Sequence, residues 1–136
     1  MLRQDDFRNS MVVLEAWRQG KDHGVQVCQM IAGCMANRER LGWGKWTAII
    51  QSISKFSATL ELPNRTAFPD LWEPNFIKLL HTVPGIIDGS APDPACGGIY
   101  WADLAQPVTN DWFKKKVLGS SVIRIRANQN SFTVFG

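Results

Sequence analysis

The stretch Val12–Arg38, VVLEAWRQGKDHGVQVCQMIAGCMANR, decides how this chain folds. It reads as two apolar helices joined by a polar connector, KDHG, with the carboxylate of Glu15 embedded in the first helix. Val27, Cys28, Ile31, Ala32, Met35 and Ala36 recur at three- and four-residue intervals, which predicts a central, buried helix over Gly24–Glu39. The same spacing of Phe7, Met11 and Leu14 predicts a helix over Asp6–Gln19, stopped by Gly20. Leu14 and Ala16 flank Glu15, and Trp17 follows closely. Apolar surroundings disfavour the charged form of a carboxyl. A carboxyl that stays protonated near neutral pH can act as a general acid. The competing reading puts Glu15 on the wet side of an amphipathic helix.

Working outward, GWGKW (Gly42–Trp46) reads as a turn that opens a third helix, with Trp46, Ile49, Ile50 and Ile53 as its apolar face. Pro63 and Pro69 then prevent long regular structure. Pro74 suits the first position of a fourth helix, with Phe76, Ile77, Leu79 and Leu80 turned inward and Pro84-Gly85 as its end. After a loop the character changes. Ile99–Ala102 reads as a short strand, and DWFKKKV as a helical turn capped by Asn110 or Asp111. SVIRIRA and SFTVF read as a β-hairpin with an apolar and a basic face. Helices in the first two-thirds and a small antiparallel sheet at the end make an α+β fold. There is neither an internal repeat nor a long linker, so residues 1–136 are expected to form one domain.

Composition narrows the function classes. The net charge of +3 is too mild to imply nucleic acid by itself, although Lys114, Lys115, Lys116, Arg124 and Arg126 crowd one span. Six Trp residues are an unusual number; core and rim packing accounts for about four of them, and Trp also supplies flat, partly exposed platforms for sugars or bases. Cys28, Cys34 and Cys96 match no metal spacing, and Cys28 and Cys34 read as small buried apolar residues. His23 and His81 lack companions at ligand spacing, so neither a metal nor another cofactor is implied. The segment MLRQDDFRNSM has no apolar h-region, and no apolar run reaches membrane length; neither a signal peptide nor membrane insertion is expected.

Several motifs in fixed order carry a resemblance. Glu15-Ala16 precedes the apolar helix, which ends in Asn37-Arg38; Phe56-Ser57 follows. Then come Asp88-Gly89, Pro92-Asp93-Pro94, Gly98-Ile99-Tyr100-Trp101, the Trp112-Phe113 pair and the closing hairpin. In this order the chain resembles the SleB/CwlJ-type cell wall hydrolases, the spore-cortex-lytic family of lysozyme-like, peptidoglycan-cleaving domains. Glu15-Ala16 is similar to the start of the family's Glu-Ala-Arg-Gly-Glu segment, and Phe56-Ser57 to its Gln-Phe-Ser. The Gly98–Trp101 block is similar to its Gly-Ala-Leu-Tyr-Phe. The chain departs at Trp17-Arg18-Gln19-Gly20, where the family's second carboxylate is missing, at Lys55, and at Ala102-Asp103.

The resemblance implies cleavage of the β-1,4 bond between N-acetylmuramic acid and N-acetylglucosamine, with Glu15 as the essential acid. With one carboxylate, the expected reaction is that of a lytic transglycosylase. Asp88, Asp103 and Glu61 could serve as a second carboxylate only where the fold brings them close. Asn37 and Ser57 could bond acetamido or hydroxyl groups or be structural, and Asp103 is a further substrate contact. Of Tyr100 and Trp101, one would face a cleft and the other pack inside; Trp17 forms a cleft wall or enters the core. The expected partner is the peptidoglycan glycan strand. Without its own export signal, the protein would be released through a holin-type or export partner, as a phage or prophage lysis enzyme, or act within a virion or secretion machine. The rival readings are a lysozyme-like glycan-binding module without chemistry and, more remotely, a single-stranded nucleic-acid binder using the basic hairpin face.

Overall fold

The computed structural model describes residues 4–46, 48–49, 73–127 and 131–136. Helix α1 (Gln4–Gly20) leads through a 3-10 turn (Lys21–His23) into α2 (Val25–Arg40). Helix α3 (Pro74–Asp88) follows, then β1 (Tyr100–Asp103) and the short helix α4 (Asp111–Phe113), which runs into a π-helical turn (Lys114–Leu118). Strands β2 (Ile123–Ala127) and β3 (Phe132–Phe135) complete an α+β architecture. Residues 46, 48 and 49 are helical, as the GWGKW reading anticipates, and Ile49 is buried. Ile50, Ile53, Pro63 and Pro69 lie outside the described residues, as do Phe56-Ser57 and Glu61.

Helix α2 is central because its apolar residues run all the way round. Val27, Cys28, Ile31, Ala32, Cys34 and Met35 are each fully buried against α1, α3 and the sheet. The same core takes in Val12, Val13 and Ala16 from α1 and Phe76, Leu79 and Val83 from α3. Gly33 lets another segment approach α2 closely. A Cβ there would lie 2.7 Å from Asp93 Oδ1 and 3.0 Å from Ala95 Cβ. The loop that carries Asp93 therefore lies directly on the helix.

Helix α3 corrects one expectation. It starts with Pro74 at its first turn but does not end at Pro84-Gly85; it continues to Asp88. The missing proline N–H costs a hydrogen bond, yet Ile86 and Ile87 beyond it are buried, and their apolar anchoring holds the extra turn. Arg40 Nη2 donates to the Ile86 and Ile87 carbonyls at 2.9 and 3.1 Å, and Gly89 ends the helix in the left-handed region at φ 83°.

The antiparallel sheet has the order β1-β3-β2. Tyr100 pairs with Phe135 and Asp103 with Phe132; on the other edge Ile123 pairs with Phe135 and Ile125 with Val134, a register shift that marks a bulge. The predicted basic face exists on β2, where Arg124 and Arg126 are exposed. It does not extend to β3, whose four residues are all buried. Strand β3 is the central strand: Phe132 and Val134 join the helical core, and Phe135 on the opposite face meets the Phe113 ring at 6.2 Å.

Candidate active site

The last turn of α2 and strand β1 meet at an aromatic cleft. The N–H of Trp43 donates to the Arg38 carbonyl at 3.1 Å, which brings the chain back over the end of α2 and sets the Trp43 ring beside Arg38. Tyr100 then lies 5.6 Å from the Trp43 ring, 5.8 Å from Trp112 and 6.4 Å from Phe113. Trp112 and Phe113 are held there by α4, whose first turn is capped: Asn110 Oδ1 accepts from the Phe113 N–H at 2.9 Å. The cleft has a volume of about 370 Å3, within the range of small-ligand pockets. Gln19 of α1 closes one side, and Arg38 and Trp101 contribute beside the other rings.

Among the described residues, Arg38 is the only charged one that lines the cleft. It is 8% exposed, and its guanidinium carbon lies 4.8 Å from the Trp43 ring, 5.5 Å from Tyr100 and 4.9 Å from Trp101. Its Nε donates to the Ile99 carbonyl at 2.8 Å. Burial pushes its pKa below the usual guanidinium value, with nearby Cys34 and Tyr100 acting in the opposite direction. An arginine remains cationic throughout the ordinary pH range.

Glu15 lies one step behind the cleft. Its side chain is 2% exposed; Oε1 accepts from Gln19 Nε2 at 3.1 Å, and Oε2 is 3.8 Å from Arg18 Nε. The reading of Glu15 as a wet-side carboxylate thus fails on burial. Gln19 stands between the carboxyl and the cleft, bonded to the one and lining the other. A helix brings residues four apart onto one face, so α1 alone sets this arrangement.

The remaining sequence-derived positions separate by geometry. Tyr100 and Trp101 both line the cleft, and Trp101 also packs against the hydrophobic core, so the pair is not divided cleanly between cleft and interior. Trp17 enters the core, edge-on to Phe76 at 5.7 Å, and forms no cleft wall. Asn37, proposed as a substrate contact, has its amide committed within the fold. Nδ2 donates to Asp93 Oδ2 and the Gly98 carbonyl, each at 2.9 Å, and Oδ1 accepts from Arg40 Nη1 at 2.8 Å. Asp103 is not part of the cleft; it faces His23 at 3.8 Å and accepts from the Ala105 N–H at 3.0 Å. Asp88 is solvent-exposed at the end of α3, where hydrogen bonds from Ser90 lower its pKa. Ser57 lies outside the described residues.

Sequence reasoning did not assign Gln19, Arg38, Trp43, Asn110, Trp112 or Phe113 to the site. The surplus of tryptophan was the available signal. Among the described residues, no group of three or more His, Cys, Asp or Glu side chains could hold a metal ion, and no helix is long and apolar enough to cross a membrane. No protein-family model, curated protein or solved structure matches the chain.

Proposed function

We propose that this protein cleaves peptidoglycan glycan strands as a lytic transglycosylase of lysozyme-like fold, with Glu15 as its general acid and base. The observation that carries the reading is a carboxyl almost fully buried beside an open, aromatic-lined cleft, with a glutamine side chain between them. The rings of Trp43, Tyr100 and Trp112 suit stacking against the apolar faces of pyranose rings. Binding displaces Gln19 and opens the carboxyl to the glycosidic oxygen. Glu15 then protonates the oxygen leaving as the N-acetylglucosamine 4-hydroxyl, while oxocarbenium character develops at C1 of N-acetylmuramic acid. The 6-hydroxyl of the same muramic acid closes onto C1 and gives its proton back to Glu15, yielding a 1,6-anhydro end. This route needs no second carboxylate. Delivery to the wall, in this reading, depends on a partner such as a holin-type pore or on assembly into a virion or secretion machine.

A second reading, a glycan-binding module without chemistry, is favoured by the same Gln19–Glu15 hydrogen bond, because it holds the carboxyl away from the cleft. Digestion of purified peptidoglycan by the wild type and by Glu15→Gln, with products read by mass spectrometry, separates the two. Anhydro-muropeptides from the wild type alone are the expected result. Reducing-end products lost in Glu15→Gln would keep the acid but make the reaction a hydrolysis. Binding without cleavage by either protein would leave only the module.

A further inference from the structure

The proposed function leaves Arg38 unexplained. A buried guanidinium is ordinarily matched by a carboxylate, because an unpaired charge in a poorly solvated place is costly. Among the described residues Arg38 has no ion pair, and its guanidinium makes one hydrogen bond, through Nε. No buried side-chain nitrogen among the described residues lacks a partner, so its two terminal nitrogens are open to the cleft that Arg38 lines. The three rings around it hold the planar group rigid and partly compensate its charge, but none of them carries a carboxylate.

We propose that Arg38 is the anion anchor of the cleft, and that the ligand is a glycan bearing a carboxylate beside a stacked sugar ring. This inference rests on the glycan reading above and specifies which glycan. A guanidinium fork presents two parallel N–H donors that match a carboxylate, and its preorganisation between aromatic rings favours that geometry over a mobile lysine. The lining set supports the sign. Among the described residues it contains no carboxylate: beside Arg38 its polar groups are the amides of Gln19 and Asn110, the Tyr100 hydroxyl and the tryptophan N–H groups, and the buried carboxyl of Glu15 is turned toward Arg18 and Gln19. Exposed Asp111 sits on α4 but does not line the cleft. Peptidoglycan offers such a carboxylate from two sources: the lactyl group of muramic acid where the peptide has been removed, or the stem peptide where it remains.

The test compares wild-type binding to three strands by intrinsic tryptophan fluorescence: peptide-bearing strands, amidase-stripped strands, and stripped strands whose lactyl carboxylates have been converted to neutral methylamides. The neutralised strand is expected to bind at least about tenfold more weakly than its stripped parent, the loss of one charge-assisted pair. Tighter binding of stripped than of peptide-bearing strands identifies the lactyl carboxylate; a preference for peptide-bearing strands identifies the stem peptide. Arg38→Met should abolish the discrimination, whereas a Lys114→Gln, Lys115→Gln, Lys116→Gln triple variant should keep it. Equal wild-type binding to all three strands would overturn the inference and leave the glycan reading standing. Discrimination lost in the triple variant but kept in Arg38→Met would also overturn it. Binding to none of the strands would overturn both. The wild-type comparison decides the matter even where Arg38→Met does not fold.

Discussion

Replacing Asn37 by alanine tests whether this residue holds the fold or touches substrate. Its amide joins three parts of the molecule: the Asp93 loop, the Gly98 carbonyl at the entry to β1, and Arg40, which in turn bonds the last carbonyls of α3. Asn37→Ala removes three hydrogen bonds. Asp93 keeps its bonds from the Ala95 and Gly97 N–H groups at 2.8 and 2.7 Å, and Arg40 keeps two carbonyls, so neither charge is stranded. The Gly98 carbonyl, in a buried position, loses its side-chain donor. At about 1 kcal/mol for each bond, plus a share of the desolvation cost of that carbonyl, the expected loss is about 3–4 kcal/mol. With a slope of about 2 kcal/mol/M, the urea midpoint should fall by roughly 2 M. A double-mutant cycle with Asp93→Ala should show a coupling of at least about 1 kcal/mol, because the two side chains share a bond. A loss of stability below about 1 kcal/mol, together with abolished glycan binding, would refute the structural assignment and return Asn37 to the substrate.

Four further outcomes follow from the packing and the cleft. Gly33→Ala should destabilise by about 1–3 kcal/mol in the same denaturation assay, since the added methyl overlaps Asp93 and Ala95 on the loop against α2. Trp112→Ala should leave stability within about 0.5 kcal/mol, because the side chain is 54% exposed, while weakening glycan binding about tenfold. Thiol labelling at pH 8 should modify exposed Cys96 quickly and reach Cys28 and Cys34 only on unfolding. Burial pushes the Cys28 thiol up to about 12 and raises Cys34 as well, against about 8.5 for an unfolded thiol. The fold therefore favours the protonated thiols: their contribution is complete below about pH 8.5 and is lost as pH rises toward 12. Urea midpoints should decline from pH 8 to pH 10, and a Cys28→Ala, Cys34→Ala variant should decline less.

Local sequence determined much of the scaffold. The apolar periodicity of Val27–Ala36 was enough to make α2 the buried centre, because a helix apolar on so wide a face must be enclosed. Pro74 at a first turn and Asn110 as a cap are equally local, since each acts within a few residues of itself. Glu15 was conspicuous for the same reason: a charge inside an apolar run stands out without reference to the rest of the chain.

Tertiary packing decided the rest. Whether α3 stops at Pro84 depended on burial of Ile86 and Ile87 and on Arg40 reaching their carbonyls from another helix. Strand β3 lost its polar face because β1, distant in sequence, paired with its second edge and Phe113 covered Phe135. Asn37 and Arg38 are neighbours in sequence, yet one ties the Asp93 loop to α2 and the other opens into the aromatic cleft. No spacing rule distinguishes them. Asn37 found its partners 56 and 61 residues away, and Arg38 met rings delivered by the turn after α2 and by β1. Which polar group is consumed by the fold and which remains open to a ligand is settled by long-range contacts, which a local pattern does not encode.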